Sequence, residues 1–178
     1  GCVPEDILNT MIAGMDVVGE RFKNGEIFVP EMLIAAKAMK KGVEVLTPHL
    51  ASGAAGALGK VVIGTVAGDL HDIGKNLVKM MLEGKGLEVV DLGTDVSPET
   101  FVQTAKEQNC QIICCSALLT TTMPALEATV AALRAAGKDY RIMVGGAPIT
   151  QAFADKVGAD AYTDDAASAA RKAKELVG

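Results

Sequence analysis

Three titratable side chains stand within four positions, where an apolar run ends and a helical segment begins. Asp69, His71 and Asp72 follow the run VVIGTVA, and GKNLVKMM comes directly after them. A histidine in such a loop can act as a general base, bind a metal ion or satisfy hydrogen bonds of the loop itself. We therefore ask which of these chemistries needs a carboxylate two residues before the imidazole.

Two common loop chemistries do not fit these residues. A phosphate-binding loop has the pattern GxxxxGK[ST], whereas here the two glycines lie one residue too far apart and Asn76 replaces the hydroxyl residue. A zinc site needs about four ligands. The other histidine, His49, lies in a small-residue segment, and the adjacent Cys114 and Cys115 point to opposite faces of a strand.

Three interpretations of the loop stay open on spacing alone. His71 could be a general base for a nucleophile on a later strand, Ser116 or Cys115. Asp72 could cap the N-terminus of the helix, beside a histidine held only by hydrogen bonds. Alternatively, a neutral His71 could bind a metal ion while Asp69 holds its other ring nitrogen. A single protein ligand suffices for a metal only if the metal brings a macrocycle with it.

The composition excludes several classes of protein. Of 178 residues, 49% are hydrophobic and the formal net charge is -5, with no lysine and arginine cluster, which argues against nucleic-acid binding. No uncharged apolar run reaches the roughly 18 residues of a membrane span. Cys2, Cys110, Cys114 and Cys115 lack disulfide-like spacing, so we expect a cytoplasmic protein.

Two amphipathic helices are predicted at the start of the chain. Their apolar residues recur at steps of three and four: Ile7, Met11, Met15, Val18 and Phe22, then Met32, Ala36, Met39, Val43 and Leu46. Asn24-Gly25 ends the first helix, and Pro30 suits the first turn of the second. Residues 46–60 are rich in Ala, Gly and Ser and read as a linker. We therefore predict a helical domain over residues 1–55 and a second domain over 56–178.

The second domain alternates short β-branched runs with helical segments. The five predicted strands are KVVIGTVA, LEVVDLG, CQIICCSA, YRIMVGG and ADAYT, each followed by a helix. This pattern predicts an α/β fold, a five-stranded parallel sheet of flavodoxin-like or Rossmann-like type with strand order 2-1-3-4-5. In that order, the loops GDLHDIG and SALLTTT face each other at the carboxyl ends of the strands, where ligands bind.

Three motifs occur in order along this domain, each at the carboxyl end of a predicted strand. They are DxHxxG as Asp69, His71 and Gly74, SxL as Ser116 and Leu118, and a glycine pair as Gly145 and Gly146. Together they resemble the cobalamin-binding signature of methionine synthase, the corrinoid mutases and the corrinoid proteins of methyl-transfer systems. The N-terminal segment GMDVVGERFKNGEIFVPEMLIAAKAM is similar to the helical cap of the small methyltransferase corrinoid proteins. Those caps usually contain more helices than the two predicted here.

The resemblance implies a cobalamin or related corrinoid bound with its own base displaced, and His71 as the lower axial ligand of cobalt. Asp69 would hold the imidazole, and a hydroxyl from Ser116, Thr120 or Thr122 would continue the hydrogen-bonded relay. The cofactor-binding residues would be Asp69, Leu70, Asp72, Ile73, Gly74, Ser116, Leu118, Thr120, Thr122, Gly145 and Gly146. Small residues would make room for the displaced tail: Gly64, Ala67 and Gly68. Apolar cap residues would either cover the corrin or form the core of the helical bundle: Met15, Phe22, Met32 and Met39.

The resemblance also implies a role as a methyl carrier that is not catalytic alone. The cofactor would alternate between cob(I)alamin and methylcobalamin. A substrate-specific methyltransferase would load the methyl group, and a second methyltransferase would pass it to tetrahydrofolate or a thiol, with a reductive activase as a further partner. Methanol, methylamines, betaines, aryl methyl ethers and methyl thiols all stay open as donors. The alternatives are a subunit of an adenosylcobalamin mutase and a cobalamin-dependent sensor.

Overall fold

A computed structural model describes residues 3–49 and 59–177. The N-terminal part consists of helices α1 (Pro4–Lys23) and α2 (Val29–Leu46), followed by a short 3₁₀ turn, Thr47–His49. Pro4 stands in the first turn of α1, and Gly25, with a φ of 73°, follows its end. Both predicted helices are therefore present. The predicted domain boundary at residue 55 lies outside the described residues, as does most of the predicted linker.

The second part is a five-stranded parallel sheet with the order β2-β1-β3-β4-β5, as predicted. Its strands are β1 (Lys60–Thr65), β2 (Glu88–Asp91), β3 (Ile112–Ser116), β4 (Arg141–Gly145) and β5 (Ala161–Tyr162). The helices that follow them are α3 (Ile73–Gly84), α4 (Pro98–Glu107), α5 (Met123–Ala135), α6 (Gln151–Val157) and α7 (Ala166–Val177). Thr65 pairs with Ser116 and Ser116 with Gly145, so three strands end at one level.

The two faces of the sheet carry separate hydrophobic clusters. One contains Ile63, Cys114 and Met143 with residues of α1, α2, α3 and α7, and the other contains Val62 and Cys115 with residues of α4, α5 and α6. Side chains alternate along a strand, which sends the adjacent cysteines to opposite faces as predicted. Helices α1 and α2 thus extend one side of the domain beyond α3 and α7.

The contact between α1 and the sheet domain includes a row of ion pairs. On α1, Asp16 pairs with Lys85, and Glu20 lies 2.7 Å from Arg171 of α7. One turn further along the helix, Lys23 Nζ lies 3.2 Å from Asp165, just before α7. This spacing places all three acidic or basic groups of α1 on one face. Within the described part of the chain, no helix is long and apolar enough to span a membrane.

Candidate functional site

The imidazole of His71 is held by the carboxylate two residues before it. His71 Nδ1 lies 3.0 Å from Oδ1 of Asp69, and the backbone amide of His71 donates to the same oxygen across 3.1 Å. Asp69 is fully buried, whereas the imidazole is 53% exposed. With the proton on Nδ1 directed at an ionised carboxylate, Nε2 keeps its lone pair. The geometry therefore offers a neutral imidazole nitrogen to a ligand.

Asp69 accepts four hydrogen bonds. Its other oxygen, Oδ2, accepts from the backbone amide of Leu118 at 2.7 Å and from the hydroxyl of Thr122 at 2.8 Å. Burial by itself raises the pKa of Asp69, but the bonds from Leu118, Thr122 and His71 more than offset it and hold the pKa well below 3.8. Asp69 is therefore an anion that the protein stabilises before any ligand binds.

Of the three hydroxyl residues predicted as possible partners of Asp69, Thr122 is the one that donates a hydrogen bond to it. It is buried in a short 3₁₀ turn, Thr120–Thr122, before α5, while Thr120 in the same turn is exposed. The carbonyl oxygen of Leu119 lies 2.9 Å from the Thr122 hydroxyl and competes for its hydrogen. Ser116 lines the adjacent cavity instead. The two loops predicted to face each other do so through Asp69 and Thr122.

Asp72 stands at the start of α3, but its side chain does not cap the helix as one interpretation of the loop predicted. Asp72 occupies the N-cap position, but its side chain makes no capping hydrogen bond to the helix. Instead its Oδ2 accepts from Nδ2 of Asn76, one turn along, at 3.1 Å. The carbonyl oxygen of His71 accepts from the hydroxyl of buried Thr65 at 2.8 Å. The loop is thus anchored by strand β1 rather than by a helix cap.

A cavity of about 600 Å³ opens beside His71 at the carboxyl ends of the strands. Its rim includes Leu70 and Ile73, which are 74% and 79% exposed, although both are large and apolar. Seven other predicted site residues also line it: His71, Asp72, Gly74, Ser116, Leu118, Gly145 and Gly146. The other three, Asp69, Thr120 and Thr122, are not among the described residues that line it. An exposed apolar rim around a free imidazole nitrogen fits a large, largely apolar macrocycle.

The glycines near the cavity differ in what surrounds them, and the contact of Gly145 and Gly146 with a cofactor stays a prediction. At Gly146, with a φ of 130°, a Cβ would overlap the carbonyl oxygen of Ala117, so this glycine allows two loops of the protein itself to approach. At Gly145, a Cβ would meet no atom within 4 Å. Gly64 was predicted beside the tail, but this is wrong: its Cβ would lie 2.8 Å from Phe101 of α4, on the opposite face of the sheet.

The other predicted small residues, Ala67 and Gly68, are also absent from the cavity wall as described. Gly68 has a φ of 79° and shapes the loop before Asp69. Small residues of α7, Ala166 and Ala169, open the cavity instead. Sequence analysis missed them, although the rule that ligands bind at the carboxyl ends of parallel strands points to the loop after β5.

The sequence also gave no sign of a buried ion pair at the start of α3. The Lys75 side chain is 2% exposed, and its Nζ lies 2.7 Å from Oδ1 of Asp91, at the end of β2. Lys79 reaches Oδ2 of the same carboxylate at 3.1 Å. Burial raises the pKa of Asp91, but hydrogen bonds from Lys75, Gly93 and Lys79 lower it overall. This pair fixes the first turn of α3 against the sheet.

The predicted cap residues lie in the layer formed by α1 and α2. Met15, Met32 and Met39 are buried in the cluster shared with α3 and α7, and Phe22 packs against that cluster. None of the four is among the described residues that line the cavity. Their position is that of bundle core, and their contact with a corrin stays a prediction.

The rival chemistries find little support in the geometry. Burial raises the pKa of the Cys114 thiol to about 12, and burial together with Cys114 raises the pKa of Cys115 as well. Neither thiol is thus prepared to act as a nucleophile. Among residues 3–49 and 59–177, no group of three metal-binding side chains comes together. A metal at His71 would therefore have to bring its other ligands.

Comparison with known proteins decides the family. The sequence model described as "B12 binding domain" matches residues 59–171, and a second model with that description matches residues 2–47. This chain belongs to the B12-binding family. The assignment confirms the predicted corrinoid cofactor and the predicted resemblance. The first matched range of this B12-binding chain contains the five strands, and the second contains helices α1 and α2.

Relatives of this B12-binding protein include corrinoid proteins of methylamine systems. Dimethylamine corrinoid protein 1 of Methanosarcina acetivorans is 46% identical over 178 residues, covering 98% of this chain and 84% of the relative. Trimethylamine corrinoid protein 2 of the same organism is 48% identical over 169 residues, covering 93% and 78%. The methanol:cobalamin methyltransferase complex MtaBC from Methanosarcina barkeri contains a chain with 31% identity and a TM-score of 0.82, covering 98% of this chain and 67% of that one. This likeness confirms the predicted fold.

Proposed function

We propose that this corrinoid protein carries a methyl group within a methylamine methyltransferase system, with His71 as the lower axial ligand of cobalt. One observation carries the assignment of the ligand. Asp69 holds Nδ1 of His71, while Nε2 is left free on a half-exposed ring beside a cavity of about 600 Å³. A histidine that binds a metal usually has its other ring nitrogen held in this way.

When bound, the corrinoid supplies a cobalt atom that can accept and release a methyl group. The protein would provide the ligand on the lower side of the corrin ring through His71. Asp69 keeps the proton of His71 on Nδ1, so that Nε2 presents its lone pair. Thr122 and Leu118 hold Asp69 in place on its other side.

The choice of a methylamine as donor rests on the relatives. Two of them are named as dimethylamine and trimethylamine corrinoid proteins, and both align with more than nine-tenths of this chain. We propose a substrate-specific methyltransferase as the first partner, a second methyltransferase that uses a thiol or tetrahydrofolate, and a reductive activase. The likeness to a chain of the MtaBC complex supports the first of these partners.

The axial ligand is tested by electron paramagnetic resonance of the Co(II) form. The wild-type protein loaded with cobalamin should show nitrogen superhyperfine splitting from an imidazole, and His71→Ala should lose it. His49→Ala provides a matched control, since the second histidine lies in the 3₁₀ turn after α2. A His71→Ala protein with unchanged splitting contradicts the assignment.

The donor and acceptor are tested by methyl transfer. The loaded protein is mixed with a dimethylamine, a trimethylamine or a methanol methyltransferase, each with its substrate, and methylation of the cofactor is followed by its visible spectrum. The proposal expects methylation with an amine and none with methanol. A second incubation with a thiol or with tetrahydrofolate and the matching enzyme then identifies the acceptor. Loading by methanol alone contradicts the proposed donor class.

A further inference from the structure

The segment after β2 runs beside the loop that carries His71. Pairing with β1 continues beyond the end of β2: the amide of Leu92 donates to the carbonyl oxygen of Ile63, and that of Thr65 donates to the carbonyl oxygen of Gly93, at 2.8 and 2.9 Å. The amide of Val96 then donates to the carbonyl oxygen of Thr65 at 3.0 Å. The chain between positions 93 and 96 is therefore fixed against the start of the loop.

Asp95 stands at the centre of this segment and contacts the loop twice. Its Oδ1 accepts from the backbone amide of Gly68 at 2.7 Å. Its own amide donates to the carbonyl oxygen of Asp69 at 3.0 Å. One bond holds Gly68, and the other holds Asp69, whose carboxylate contacts His71. Together they fix both the direction of the chain at Gly68 and the peptide plane after Asp69.

The backbone of Asp95 has an unusual conformation. Its φ is 55°, a left-handed value that non-glycine residues rarely adopt, although aspartate and asparagine tolerate it better than most. Glycine would adopt this φ more easily but could not offer a carboxylate to Gly68. An acceptor side chain at a left-handed position is the combination that this contact requires.

We propose that Asp95 is a positioning residue for His71. It acts through the loop: the clamp on Gly68 and Asp69 holds the Asp69 carboxylate where it meets Nδ1 of the imidazole. The inference rests on the proposed axial ligation, because a positioned Nε2 matters only if Nε2 binds cobalt. It concerns a residue outside the DxHxxG, SxL and glycine-pair motifs, and one that does not line the cavity as described.

Two substitutions separate the side chain from the backbone. Asp95→Asn keeps an oxygen acceptor and tolerates the positive φ, whereas Asp95→Gly keeps the backbone conformation and removes the acceptor. The matched control is Asn109→Gly, because Asn109 has a φ of 51° and lies at the opposite end of the sheet domain, between α4 and β3.

The clamp is measured first in the chain without cofactor, by hydrogen exchange of the Gly68 amide. Asp95→Gly should exchange this amide about tenfold faster, since the acceptor of its hydrogen bond is lost, while Asp95→Asn, which keeps an oxygen acceptor, should stay closer to wild type. Asn109→Gly should leave the Gly68 amide unchanged. Equal exchange in wild type and Asp95→Gly overturns the proposal, because the bond then does not hold the loop.

The effect on His71 is measured with cobalamin bound in its Co(II) form. Asp95→Gly should show a smaller fraction of nitrogen-split signal and about five- to tenfold weaker cobalamin binding, and Asp95→Asn should restore both. An Asp95→Gly protein with faster Gly68 exchange but full nitrogen ligation overturns the positioning role. If wild type itself shows no nitrogen splitting, the axial ligation fails and the positioning role fails with it, whatever the variants do.

Discussion

The hydroxyl of Thr122 lies 2.8 Å from Oδ2 of Asp69, the carboxylate oxygen that His71 does not use. Thr122, which lies 53 positions after Asp69 in the chain, thus orients the Asp69 carboxylate. That carboxylate in turn orients the imidazole of His71. The contact joins the loop after β1 to the turn after β3, across the point where the sheet reverses its strand order.

Thr122→Val should weaken cobalamin binding about tenfold, because a partner of a metal-bound histidine loses one of its own supports. The substitution keeps the shape of the side chain and removes only the hydroxyl. Thr120→Val is the control, since Thr120 is exposed in the same turn. Cobalamin titrations followed by the visible spectrum give both affinities. Equal losses of affinity in the two variants would mean that the effect comes from a change in the turn rather than from the lost hydrogen bond between Thr122 and Asp69.

The stability of the chain without cofactor should depend on pH through Asp69. Its pKa lies below the ordinary 3.8, so its contribution to the free energy of unfolding is full above that value and declines as pH falls below it. Asp69→Asn should therefore be less stable than wild type at pH 7, and the difference should shrink between about pH 4 and pH 2. Urea unfolding of both proteins across this range measures it. A difference that does not change with pH contradicts the prediction.

Gly145 and Gly146 should respond differently to alanine. Gly146→Ala should lower the free energy of unfolding by about 3 kcal/mol or more, because the new methyl group would meet the Ala117 carbonyl at a strained φ. Gly145→Ala should change it by less than about 0.5 kcal/mol, since open space surrounds that position. If the cofactor approaches Gly145, its alanine variant should bind cobalamin more weakly despite this stability. Unchanged affinity would place the cofactor elsewhere.

Lys75→Met should destabilise the chain by roughly 3 kcal/mol, because it leaves Asp91 without its buried partner. Lys79→Met should cost less than about 1 kcal/mol, because that side chain is 33% exposed although it binds the same carboxylate. Chemical denaturation of both variants gives the comparison. The double variant Lys75→Met with Asp91→Leu should recover much of the loss, as neither charge is then buried alone. Failure of this recovery would mean that Lys75 supports α3 through other contacts.

Much of the fold followed from periodicity. Short β-branched runs separated by helical segments define the five parallel strands, and the Gly-rich loops fix where each strand ends. The paired loops after β1 and β3 followed from the strand order alone. The two N-terminal helices followed from their apolar steps of three and four, with Asn24-Gly25 between them.

Parts of the site depend on three-dimensional contacts that the spacing of residues along the sequence does not predict. Three hydroxyls were equally possible partners of Asp69, and the 3₁₀ turn before α5 selects Thr122. The role of Asp95 depends on a left-handed φ that no local pattern announces. The misplacement of Gly64 had a simpler cause: Ile63 faces the cavity side, so strand alternation sends the next residue to the opposite face.

The exposed apolar residues that line the cavity, Leu70, Ile73 and Leu118, also have a consequence for the chain in the absence of cofactor. Apolar patches of this kind promote aggregation and attract chaperones when they stay uncovered. A bound corrinoid would cover the rim and favour the native state by mass action. Supply of the vitamin should therefore govern how much of the protein survives in the cell, in addition to how much of it is active.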